Sequence, residues 1–196
     1  MHPEILSISL FWFVTAYTPG PNNVVASYSG FNFGITRTIP HILGVTFGFT
    51  SLVTFLTVGL INVFKLYPAI QIIIKYLGTL FLVYLAYKIA SSTASKDTQK
   101  DNPVKFVETF LFQYLNPKGV MVAIIVVSTY VELGDNYFNY AVQIIALAFL
   151  FSLTSITLWT FVGKFLRKFA TNDKFIKSFN YAMSGLLLLS IITFYI

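Results

Sequence analysis

The chain has 196 residues, 56% of them hydrophobic and only 10% charged, with a mean hydropathy of +0.75. Soluble domains carry about 25% charged residues, so this composition excludes a soluble globular protein and marks an integral membrane protein. The absence of cysteine excludes a disulfide framework and thiolate metal sites, and the net charge of +6 sits between apolar runs, where it signals orientation rather than nucleic-acid binding.

Six apolar spans follow in order, each long enough for a hydrocarbon core of about 30 Å at about 1.5 Å per residue. The first runs from Ile5 to Phe33 and is interrupted near its middle by Thr18-Pro19-Gly20-Pro21-Asn22-Asn23. Proline removes a backbone donor and clashes with the preceding turn, so this stretch breaks the helix or at least kinks it. The second span is expected to start near Pro40, in a first helical turn where proline is tolerated, and to continue to Phe64. The third covers Ala69 to Ala90. Ser91 to Pro103, with Lys96, Asp97, Lys100 and Asp101, reads as the one polar linker. The fourth span runs from Phe106 to Val131, the fifth from Tyr140 to Phe161 and the sixth from Phe175 to Ile196. Met1-His2-Pro3-Glu4 lacks the basic stretch of a signal peptide, so span one is expected to be retained. The whole of 1–196 reads as one all-α transmembrane domain.

Lysine and arginine cluster in alternate loops. Lys88, Lys96, Lys100 and Lys105 lie in or beside the linker; Lys164, Arg167, Lys168, Lys174 and Lys177 lie between spans five and six; Arg37 lies between one and two. The other loops hold Lys65, Glu132 and Asp135. Positive-inside reasoning places the linker (91–103) in the cytoplasm and both termini on the outer side. Lys75, in the first turns of span three, is expected to snorkel to the outer interface.

The two halves, about 1–90 and 104–196, echo each other. Thr18-Pro19 in span one has a counterpart in Asn116-Pro117 of span four, again a polar residue before proline inside an apolar run. Three spans per half make the halves cross the membrane in opposite senses, an inverted 3+3 repeat with interrupted helices 1 and 4. Paired interruptions of this kind point to a transporter binding site.

The chemistry of the breaks favours an anion. Gly20 is placed as a helix N-cap with Pro21 first in the helix, which puts Asn22 and Asn23 in the first turn; Asn116, Pro117 and Lys118 repeat that pattern. Unpaired N–H groups and the helix dipole attract negative charge. A lysine near the bilayer centre costs about 3 kcal/mol on insertion scales, and a substrate carboxylate held between the two half-helices would relieve that cost. The alternative is that Lys118 bonds backbone carbonyls and only holds the bundle together.

Span two carries Gly44-Val45-Thr46-Phe47-Gly48, a spacing that by default means close helix packing. No Asp or Glu lies deep in a span, so proton coupling would fall to His41, Glu108 or Lys118, with an interfacial role for His41 as the competing reading. No phosphate loop, nucleophile elbow or metal-ligand spacing occurs, which argues against ATP hydrolysis, a catalytic serine and a metal site; no cofactor and no enzymatic activity are expected.

Thr-Pro-Gly-Pro-Asn-Asn at 18–23, His41-Ile-Leu-Gly44-Val-Thr-Phe-Gly48, Tyr76-Leu-Gly78, Tyr84-Leu-Ala-Tyr87-Lys88 and Gln113-Tyr-Leu-Asn116-Pro117-Lys118 together resemble the LysE/RhtB family of bacterial amino-acid exporters. The resemblance is strongest to the branch that includes cysteine/O-acetylserine and homoserine/threonine exporters. It implies efflux of small amino acids or their derivatives across the inner membrane, driven by an ion gradient, and it carries the family pattern onto Pro19, Gly20, Pro21, Asn22, Asn116, Pro117 and Lys118. The expected partners are a small amino acid and the lipid bilayer; small-residue faces permit a homodimer without requiring one. A passive pore is the alternative.

Overall fold

The computed structural model describes residues 4–60, 66–67, 69–92, 103–131, 134–192 and 195. Lys65, Glu132, His2, Ile196 and the linker charges Lys96, Asp97, Lys100 and Asp101 lie outside the described residues. The described chain is all-helical: α1 (Ile5–Tyr17), α2 (Pro21–Phe55) closed by a π turn (Leu56–Leu60), α3 (Ala69–Ala90), α4 (Phe106–Leu115), α5 (Pro117–Tyr130), α6 (Tyr137–Arg167) and α7 (Asp173–Ile192). Four stretches are long and apolar enough to cross a membrane, within Pro21–Gly59, Ile72–Ala90, Tyr137–Arg167 and Asp173–Ile192. A fifth arises if α4 and α5, bent by 61°, form one span.

Both expected interruptions are present. α1, at 13 residues, reaches only about 20 Å at 1.5 Å per residue, short of the hydrocarbon thickness. The boundary between the first two spans differs from expectation. No loop leads up to Pro40; the chain turns at Gly34 alone, whose φ of 74° and ψ of −179° form a conformation essentially restricted to glycine. The helix resumes immediately, and Thr38 Oγ1 donates to the Gly34 carbonyl at 2.7 Å. Pro40 therefore lies inside a helix rather than in its first turn. α6 is also longer than the apolar pattern of span five: Tyr137, Phe138 and Asn139 extend it at its start and Val162 to Arg167 at its end.

Two apolar clusters lie on either side of the breaks. One joins the part of the chain before the first break to the part after the second: Ile8 and Trp12 of α1 pack with Val120, Ala123 and Val126 of α5, Leu52 of α2 and Ile144 of α6. The other joins the part after the first break to the part before the second: Val24, Val25 and Tyr28 pack with Phe112 of α4, Leu82 and Leu85 of α3 and Leu187 of α7.

Glycine sets the closest approaches. A Cβ at Gly30 would run into the Thr160 carbonyl of α6, and one at Gly163 into the Ser27 carbonyl of α2. Ser27 Oγ donates to the Trp159 carbonyl at 3.0 Å in the same contact. Gly44 and Gly48 lie in the same way against Phe106, Thr109 and Phe110 of α4, so the default packing reading of that pair is correct. Lys75 is half-buried, its ammonium 3.9 Å from the centre of the Tyr195 ring.

Gly163→Ala is expected to cost about 1–3 kcal/mol through overpacking against α2 and to lower the unfolding midpoint in detergent. Gly185→Ala, where an added Cβ meets nothing within 4 Å, should leave the midpoint unchanged or raise it. Equal midpoints for the two variants would show that the α2–α6 contact is looser than described.

Candidate functional site

α1 ends inside the bundle, so its last carbonyls need donors from elsewhere. Asn23 Nδ2, in the first turn of α2, donates to the carbonyls of Ala16 and Thr18, each at 2.9 Å. Ser155 Oγ of α6 adds a bond to Ala16 at 2.7 Å, and Lys118 Nζ one to Thr18 at 3.1 Å. Lys118 crosses from the second break to the first and brings its charge to the negative end of α1, where the dipole favours a cation. The expected clash with the dipole of its own helix is thus offset by a second helix end. The lysine stem lies against the Gly20 backbone, and a Cβ there would sit 3.0 Å from Nζ.

The N-terminal ends of the second half-helices match the sequence reading. Gly20 is the N-cap of α2 and Asn116 that of α5, each followed by proline, and neither helix start has a side-chain cap. The two breaks are tied together by a reciprocal amide pair. Asn22 Nδ2 donates to Gln113 Oε1 at 2.8 Å, and Gln113 Nε2 donates to Asn22 Oδ1 at 3.2 Å and to the Thr109 carbonyl at 2.8 Å. Gln113 is fully buried. In α3, Gly78 lies against the Leu115 carbonyl, closing the second break from the side.

A cavity of about 80 Å³ opens between the breaks. Gly20, Pro21, Asn22, Asn23, Asn116 and Lys118 border it together. Trp12, Phe49, Val122, Phe151 and Ile156 supply an apolar wall, and Thr15, Ser152, Ser155 and Gln113 add polar groups. A second, more apolar groove toward α7 shares Gly20, Pro21, Lys118 and Val122 with the first and includes Pro19. Pro117 borders neither of these spaces.

His41 and Glu108 are not brought into the cavity. His41 is buried, at 1% exposure, because α2 folds back at Gly34 and lays it against its own first turn. Its Nε2 donates to the Asn22 carbonyl at 3.3 Å, so Nε2 carries the proton, and among the described residues the buried Nδ1 has no partner. Glu108 accepts from the Lys105 N–H at 2.9 Å as a helix-start cap, and its carboxylate lies 4.0 Å from Lys88 Nζ. Gln113, Trp12 and Ser155 were not singled out as site residues. Gln113 had a signal, standing one turn before Asn116-Pro117; Trp12 and Ser155 had none, since an apolar helix face looks the same beside a cavity as beside a neighbour.

Residues 13–194 match the family model described as LysE type translocator. The chain is 29% identical over 172 residues to the cysteine/O-acetylserine efflux protein of Salmonella typhimurium, covering 86% of this chain and 87% of that one. It is 27% identical over 172 residues, with the same coverage, to the protein of that name in Escherichia coli UTI89. No solved structure matches it.

The amide pair predicts a measurable coupling. In a double-mutant cycle with Asn22→Ala and Gln113→Leu, the interaction energy from unfolding in detergent is expected to be about 0.6 kcal/mol and at most about 1.7, the span for hydrogen bonds between membrane helices. Strict additivity would mean that the two amides do not hold the breaks together.

Proposed function

The chain belongs to the LysE type translocator family, a translocator rather than an enzyme, and on that footing we propose that it exports small amino acids or their derivatives by alternating access, coupled to an ion gradient. The observation that carries this reading is the cavity between two interrupted helices, bordered by two uncapped helix starts and by Lys118. Discontinuous helices with N-terminal ends facing a central space are how secondary transporters hold a substrate carboxylate.

Each half contributes one broken span, α1 with the start of α2, and α4 with α5. Counted this way, with Gly34 as the turn between spans one and two, the helices make six spans in an inverted 3+3 arrangement. The reciprocal packing of the two core clusters supports the inversion. Arg167 lies 5.3 Å over the Phe31 ring and Arg37 5.2 Å over Phe33, at the turn into span two, and Lys88 ends α3. Cations at these cytoplasm-assigned ends support a plasma-membrane orientation with both termini outside.

In the state described, Lys118 is held by the Thr18 carbonyl. An arriving carboxylate would compete for the ammonium and for the free N–H groups of α2 and α5, loosening the tie between the breaks. Binding would thereby bias one half against the other, which is the differential contact that a two-state carrier requires. The names of the relatives make L-cysteine and O-acetyl-L-serine the first substrates to test.

In proteoliposomes, counterflow of labelled L-cysteine or O-acetyl-L-serine is expected to saturate. Lys118→Gln should raise the half-saturating concentration about ten- to a hundredfold, the worth of a lost charge-assisted hydrogen bond, while Lys118→Arg retains part of the activity. Unsaturable leakage would identify a pore instead, and unchanged affinity in folded Lys118→Gln would remove the lysine from the site.

A further inference from the structure

Asn116 is the single residue between α4 and α5, at once the C-cap of one and the N-cap of the other. It is 3% exposed and borders the cavity, yet its side chain does not cap α5, and among the described residues its buried Oδ1 has no hydrogen-bond partner. Buried polar atoms are nearly always paired, so an orphaned acceptor on a residue that borders a cavity requires an explanation. An asparagine at an N-cap ordinarily turns its oxygen onto the helix N–H groups; here that bond is not made.

Position explains what the oxygen is for. The C-terminal end of α4 carries partial negative charge, and the N-terminal end of α5 partial positive charge. A zwitterion lying across the break has its carboxylate drawn toward α5 and Lys118, and its ammonium toward the end of α4. An ammonium has three donors and no acceptor, and a lone carboxamide oxygen is the complementary group. The seven acidic residues of the chain are Glu4, Asp97, Asp101, Glu108, Glu132, Asp135 and Asp173. Among the described residues none of them borders the cavity, so a neutral acceptor, not a counter-charge, is what the cavity offers a positive group.

We propose that Asn116 is the specificity-determining residue that reads the α-ammonium of the substrate through Oδ1, restricting the site to zwitterionic amino acids with no second positive charge. This rests on the carboxylate reading of Lys118 and the helix starts, and it adds the other half of the α-amino-acid group. A monocarboxylate lacking the amine leaves Oδ1 orphaned. A diamino acid brings a second cation into a cavity that already holds the lysine ammonium.

The test is displacement of labelled O-acetyl-L-serine from the purified full-length protein by three probes: L-cysteine, 3-sulfanylpropanoate, which lacks the ammonium, and L-cysteinamide, which lacks the carboxylate. The chain has no cysteine of its own, so reductant that keeps the thiols free leaves the protein unaltered. Wild type is expected to favour L-cysteine over 3-sulfanylpropanoate about tenfold, the scale of one hydrogen bond to a charged group. Asn116→Ala should erase that preference by weakening L-cysteine alone. Asn116→Asp, which keeps an acceptor at the same place, should preserve it, and that result supports the assignment even where the alanine variant does not fold. Equal displacement by L-cysteine and 3-sulfanylpropanoate in wild type, equal weakening of both in Asn116→Ala, or loss of the preference in Asn116→Asp would each overturn the assignment. L-cysteinamide displacing as well as L-cysteine would overturn the carboxylate reading instead, leaving the ammonium preference to be judged by the other two probes. No displacement by any probe from folded wild type would overturn both.

Discussion

A helix that stops inside a bilayer leaves carbonyl groups without partners, and no water is at hand to take them. Each such group costs about 1–3 kcal/mol if left bare. In this protein α1 stops at Tyr17, and the surrounding structure is arranged to supply the missing donors. Asn23 reaches back across the break to two carbonyls, Ser155 comes from α6, and Lys118 comes from the opposite half of the chain. The first break is therefore a junction at which three separate segments must converge, and moving any of them exposes backbone.

The same constraint produces the cavity. The carbonyl end of the first half-helix is covered by side chains, but the N–H ends of α2 and α5 carry no side-chain caps. Covering one kind of end and leaving the other bare makes a site with a definite electrostatic sense, positive toward the cavity at both helix starts. Lys118 belongs to both arrangements, as a donor to the Thr18 carbonyl and as a charge at the cavity wall. The cap on the Thr18 carbonyl and the proposed contact with a substrate carboxylate are compatible in one side chain, since the same ammonium reaches both.

Close helix packing holds these ends in register. Gly30 and Gly163 let α2 and α6 meet backbone to backbone, and Gly44 and Gly48 let α2 meet α4. Without a hydrophobic drive between helices in lipid, such contacts supply dispersion energy that long side chains would prevent. They bring the Asn22–Gln113 pair within hydrogen-bond reach across the two halves. The apolar clusters on either side of the breaks then give each half-helix its own anchorage.

Much of this was legible in the residues themselves. A mean hydropathy of +0.75 determines a membrane protein, because apolar surface of that extent has no other solvent. Both breaks, the N-cap roles of Gly20 and Asn116 and the bounds of α3 follow from proline, glycine and apolar runs, which act within a few residues along the chain. What required the tertiary structure is everything decided between segments. Pro40 reads as a helix start, but the turn is made at Gly34 and Pro40 lies inside the helix that follows. That His41 is buried against Asn22 follows only from α2 folding back on its own beginning. Lys118 opposes the dipole of its own helix, and only the crossing of the two breaks reveals the second helix end that accepts it. Local pattern determines where a backbone must break; which donor reaches the broken end depends on distances that exist only once the bundle has closed.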